Sequence, residues 1–116
     1  MLEKEVLEFG RRLGLGRLNP PPLALTLTGL GELSLEALDD GDFLVSLAVP
    51  QPPAERGRLV RALRLCAPDQ GRPWPLACGQ HRDHLIFWVR LPQAGLTAAE
   101  LENAARFLIQ TIQETV

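Results

Sequence analysis

The sequence predicts an α+β fold of one domain, ordered α-β-β-β-α-β-β-α, with a twisted antiparallel sheet packed by helices. Three observations lead there. Apolar residues recur at helical spacing near the start, in the middle and at the end of the chain. Between these segments the chain alternates apolar and polar residues, as half-buried strands do. Clusters of Gly, Pro and Asp punctuate the boundaries. At 116 residues the chain holds one core and not two.

The first segment places Leu2, Val6, Phe9 and Leu13 on one helical stripe, with charges opposite. Gly14 and Gly16 stop that helix, and Asn19-Pro20-Pro21-Pro22 forbids its resumption. In the first strand Leu23, Leu25 and Leu27 alternate with Ala24, Thr26 and Thr28, and Gly29-Leu30-Gly31 turns the chain. Leu33, Leu35 and Ala37 alternate with Glu32, Ser34 and Glu36 in the second, closed by Asp39-Asp40-Gly41. Phe43, Val45, Leu47 and Val49 give the third strand its inner face, completing an antiparallel meander.

Pro50-Gln51-Pro52-Pro53 ends the meander. A helix over 54–67 follows, with Leu59, Val60, Leu63 and Cys66 apolar and Arg56, Arg58, Arg61 and Arg64 expected to be solvated. Pro68, Asp69, Gln70, Gly71 and Pro73 make a loop. Two strands, about 74–78 and 85–91, are joined across a polar turn. The final helix opens with Thr97 and Glu100 as a T-x-x-E capping box, and Leu101, Ala104, Ala105, Leu108 and Ile112 line one face.

Composition narrows the function. The hydrophobic fraction of 46% and charged fraction of 22% are those of a soluble globular protein. A net charge of −2 provides no broad basic field, so nucleic acid is not an expected partner. The mixed-charge opening Met1-Leu2-Glu3-Lys4-Glu5 does not read as a signal peptide, and no apolar run is long enough for membrane insertion. A cytoplasmic location is expected, with Cys66 and Cys78 as thiols. Surplus apolar surface is the main clue. If Phe43, Val45, Leu47, Leu85, Phe87 and Val89 face the helices, Leu44, Ala48, Ile86 and Trp88 face away. That side is either a protein interface or is covered by helix 54–67 within the chain.

No catalytic or metal motif is complete. Cys78, His81 and His84, with Cys66, could supply zinc ligands, but no C-x-x-C or H-x-x-x-H element fixes two at once. Neither cysteine is set beside a helix N-terminus or an orienting group that would activate a Cys–His dyad. Gly14-x-Gly16 follows a helix instead of a strand, so it is not a phosphate loop. Asp39, Asp40 and Asp42 lack the spacing of a calcium loop. No enzyme activity, cofactor or metal is expected.

Several local patterns resemble the class I type III secretion chaperones, the family that includes the enterobacterial Tir chaperone. Phe9-x-x-x-Leu13-Gly14-Leu15 is similar to that family's opening motif. Leu25-x-Leu27, Gly31-x-Leu33-x-Leu35-Glu36 and Asp40-Gly41 are similar to its first hairpins. The proline-rich run 19–22 and Thr26-x-Thr28, standing where acidic residues are common, depart from the pattern. The resemblance implies a small acidic dimer, without cofactor or nucleotide hydrolysis, around which the N-proximal segment of a secreted effector or export-gate protein wraps in extended form. The sequence pI of about 5.6 agrees with an acidic member. The resemblance leaves open a homodimer or a heterodimer with a second small chaperone. It maps the dimer interface to Leu59, Leu63, Cys66, Trp74, Leu76 and Trp88. The client is expected along the first helix and first strands, at Phe9, Leu13, Leu25, Leu27, Leu33 and Leu35. The alternative function is a non-catalytic assembly or regulatory subunit of the same fold without a secreted client.

Overall fold

The computed structural model describes residues 3–19, 21–50, 56–66 and 75–115. The elements follow the expected order: α1 (Glu3–Arg12), β1 (Leu23–Leu27), β2 (Gly31–Ala37), β3 (Asp42–Pro50), α2 (Arg56–Leu65), β4 (Leu76–His81), β5 (His84–Pro92) and α3 (Ala98–Glu114). The five strands form one antiparallel sheet in the order β1-β2-β3-β5-β4, so β1 and β4 are its edges.

Register explains the core. Val45 lies between Leu35 and Val89, and Leu47 between Leu33 and Phe87, on the pleat face turned to the helices. All six are 0% exposed. Phe43, Leu85 and Leu91 extend the same layer, and Leu101, Ala104, Ala105 and Leu108 of α3 close it from above. α1 packs beside α3 and drives Val6 and Phe9 into that layer. The small Ala104 and Ala105 leave room for the Leu and Phe side chains opposite.

Helix ends follow their sequence signals. The backbone N–H of Glu100 donates to Thr97 Oγ1 at 3.2 Å, and the N–H of Thr97 donates back to Glu100 Oε1 at 3.3 Å, completing the capping box. At the end of α1 the N–H of Leu15 reaches Gly10 O at 2.8 Å and that of Gly14 reaches Arg11 O at 3.2 Å. With Gly14 at φ +70°, this is a Schellman stop, a conformation that glycine adopts without strain.

Two sequence boundaries are corrected. The fourth strand starts at Leu76 and runs to His81, so residue 74 lies outside the described residues and the polar turn shrinks to Arg82 and Asp83. The hairpin register, with His81 opposite His84, extends pairing into what looked like a polar turn. The second helix ends at Leu65 with Cys66 in a turn, short of the expected 67; residues 54 and 55 at its expected start, and loop residues 68–73, lie outside the described residues.

Candidate functional site

At the β1 edge the apolar layer of the sheet reaches the surface. Leu23, Leu25 and Leu27 pair with Leu35, Leu33 and Gly31, which turns them to the helix side. There they remain half-buried because no strand flanks β1 on its far side among the described residues. Leu13 and Leu15, just beyond the end of α1, are half-buried too. Of the six residues expected to meet a client, the structure therefore divides three from three. Phe9, Leu33 and Leu35 are 0% exposed and form the floor, whereas Leu13, Leu25 and Leu27 reach the surface. Strand order explains the division within the sheet, since β2 is flanked by strands on both sides and β1 on only one.

A cavity of about 760 Å³ continues from the end of β1. Leu27, Leu30 and Val49 line its apolar part, while Arg58, His84 and Glu32 supply polar groups. Gly31 narrows its base: a Cβ there would lie 2.2 Å from the carbonyl oxygen of Ala48. Leu30 and the α3 end of this cavity were not singled out by sequence periodicity. Leu30 sits in a turn, and no local pattern tells that this turn and the end of α3 line one cavity.

The opposite sheet face carries Leu44, Ala48, Ile86 and Trp88, all half-buried. Trp88 stands opposite Ala77, and its ring lies over Gly79, where a Cβ would sit 3.6 Å away. A shallow pocket of about 390 Å³ opens beside it, lined by Pro75, Ala77 and Trp88. α2 does not cover this face. It lies against β4 next to the last turn of α3, on the helix side of the sheet. The sequence left both placements open; α2 takes the helix side because Ala62 buries completely in the common core.

α2 itself presents Val60 and Leu63, which are 49% and 55% exposed. Leu59 and Cys66 are half-buried against the core, and Leu76 is buried at 7%. Thus, of the residues expected at a dimer interface, Leu63 and Trp88 reach the surface, Leu76 belongs chiefly to the core, and Trp74 lies outside the described residues. The expectation of a solvated arginine face on α2 holds for Arg61 and Arg64, which are exposed, while Arg58 is half-buried. Arg58 and Arg61 bend toward Thr115 and donate to it, because the end of α3 offers oxygen acceptors within reach.

Electrostatic contacts fix the helices and turns around these surfaces. Arg12 Nη1 donates to Glu102 Oε1 at 3.1 Å, and Arg106 Nε donates to Glu102 Oε2 at 3.0 Å. The Arg106 hydrogen bond, followed by that from Arg12, holds the Glu102 carboxyl below the usual glutamate range. Arg90 pairs with Asp40 and Asp42 beside the outer apolar face. Gln93 Nε2 donates to the carbonyl oxygens of Leu38 and Asp42 at 3.0 and 2.8 Å, pinning the β2–β3 turn. Among the described residues, no three His, Cys, Asp or Glu side chains gather as a metal site. No described helix is long and apolar enough to cross a membrane.

The sequence profile of the Tir chaperone protein (CesT) family matches residues 6–115. The chain belongs to that family. Solved structures agree on the fold. The Yersinia pestis type III secretion chaperone SycH, crystallised with a stable fragment of YscM2, is 16% identical with a TM-score of 0.73, and each chain is covered completely. A chain of the ExsC–ExsE complex gives a TM-score of 0.75 at 16% identity over 97% of this chain and 88% of that one. The Pseudomonas aeruginosa ExoU–SpcU complex gives 0.66 at 21% identity, covering 96% and 94%. A comparison with curated proteins finds no match. In the segment 9–15, Phe9 plugs the core, Leu13 follows the last turn of α1, and Gly14-Leu15 closes the Schellman stop.

Proposed function

We propose that this member of the Tir chaperone family binds an extended, largely apolar N-proximal segment of a type III secretion client and keeps it soluble and export-competent. One observation carries the reading. β1 ends the sheet with an unpaired edge among the described residues, and half-exposed leucines line that edge beside a cavity of about 760 Å³. An unfolded segment laid along such an edge gains main-chain hydrogen bonds and sinks alternate side chains into the apolar gap. Leu13, Leu25 and Leu27 contact the client over a floor of Phe9, Leu33 and Leu35.

The protein works by binding alone, without catalysis, in the cytoplasm, and as a single domain. It pairs through α2 and the adjoining sheet, with Leu59, Leu63, Cys66, Trp74, Leu76 and Trp88 as the interface region. Exposed Val60 and Leu63 on a short helix, and a half-buried Trp88, support that assembly. The partner is a second copy or another small chaperone. Affinity capture from the native cytoplasm, followed by mass spectrometry, tests the function. Recovery of a protein destined for secretion supports it; recovery of only folded cytoplasmic partners favours an assembly or regulatory subunit.

A further inference from the structure

We infer that Thr115, at the end of α3, is a positioning residue for the outward face of α2. The inference rests on the proposed role of that face in pairing two copies of the chain.

α2 is weakly anchored by its own burial. Its described part spans ten residues, and Gly57 lowers the helical preference of that stretch. Ala62 is its fully buried residue, while Val60 and Leu63 point outward. Leu59, Leu65 and Cys66 pack half-buried beside it, so Ala62 is the one described residue of α2 that the core encloses completely.

A clasp to the end of α3 adds to that packing. Arg58 and Arg61 stand three residues apart, on one side of α2. Arg58 Nε donates to Thr115 Oγ1 at 3.0 Å, and Arg61 Nε donates to Thr115 O at 2.9 Å. The Thr115 hydroxyl also donates to Ile112 O at 2.7 Å, which fixes its rotamer and aims its lone pairs at Arg58. Thr115 is 0% exposed. Its neighbours are the unsatisfied carbonyls at the negative end of a 17-residue helix, a natural seat for guanidinium groups. Two charged donors on one buried residue define both the rotation and the axial position of α2. Val60 and Leu63 are thereby presented at one angle, and the last turn of α3 sets how well that face docks on a second copy.

The test compares Thr115→Val, which keeps the shape and loses the hydroxyl, with Thr115→Ser, which keeps the hydroxyl. Sedimentation reads self-association, and amide hydrogen exchange reads α2 directly. Thr115→Val is expected to speed exchange of α2 amides several-fold and to weaken self-association about tenfold, leaving exchange in β3 and β5 unchanged; Thr115→Ser is expected to restore both. Arg61→Lys, which retains charge but lacks the Nε donor, is expected to behave like Thr115→Val. Unchanged α2 exchange in both Thr115→Val, which removes the acceptor of Arg58, and Arg61→Lys, which removes the Nε donor to the Thr115 carbonyl, overturns the clasp. A change in α2 exchange without weaker self-association overturns the link to pairing. Leu63→Asp separates the two readings: if it too leaves self-association intact, the interface assignment is what fails.

Discussion

Gly10 faces the loop that follows its own helix: a Cβ on it would lie 2.7 Å from the carbonyl oxygen of Gly16 and 2.8 Å from Leu18 Cγ. The loop closes on α1 at that point because Gly10 presents only a hydrogen. Gly10→Ala is expected to force the 13–18 loop outward and to destabilise the fold by about 1–3 kcal/mol, the usual cost of overpacking. Chemical denaturation checks this value. Gly14→Ala, placed at φ +70° with open space around it, is expected to cost less, about 1 kcal/mol from backbone strain alone.

The client edge makes a second prediction. Leu27 is half-buried, so Leu27→Glu places a carboxylate at the mouth of the groove without breaking the core. The variant is expected to keep its circular dichroism and assembly mass and to bind a client segment at least tenfold more weakly. Binding by the unmodified protein should depend little on salt, because apolar burial and main-chain hydrogen bonds dominate. Titration calorimetry at two ionic strengths measures both effects.

Pairing through α2 makes a third. Leu63 is 55% exposed in one copy, so Leu63→Asp is expected to leave the protomer folded. In the assembly the same carboxylate would be buried without a partner, at a cost of several kcal/mol. Light scattering should show dissociation into folded protomers. Concentration-independent monomer in the unmodified protein alone would exclude a homodimer and direct attention to co-expression with a second chaperone.

Glu102 joins α1 to α3 through Arg12 and Arg106, and its carboxyl is held below the ordinary value. A depressed folded-state value means that the tie stabilises the protein above the unfolded carboxylate range, near pH 4, and is lost as pH falls through the folded value. Glu102→Gln is expected to flatten this part of the acid unfolding profile while changing neutral stability little, since the pair is solvent-screened. Thermal melts between pH 7 and pH 3 give the comparison.

Much of the fold was legible because strand alternation and pleat share a period of two. Phe43, Val45, Leu47 and Val49 announce one face, and the register buries all four. Thr97 and Glu100 likewise carry their capping geometry in four residues. The site was less legible. Leu25 and Leu33 look alike in sequence, yet only Leu33 is fully buried, because strand order decides which leucine has neighbours on both sides. The shared acceptor of Arg58 and Arg61 was not legible, because Thr115 lies more than fifty residues away. Long-range placement of this kind leaves no local pattern.

Amide hydrogen exchange on the complex with an identified client segment tests the central claim most directly. The account predicts that the segment is unprotected when free, gains protection when bound, and slows exchange at the outward amides of β1, Leu23–Leu27. A client that binds already folded, or binding that leaves β1 exchange unchanged while protecting another surface, would contradict it.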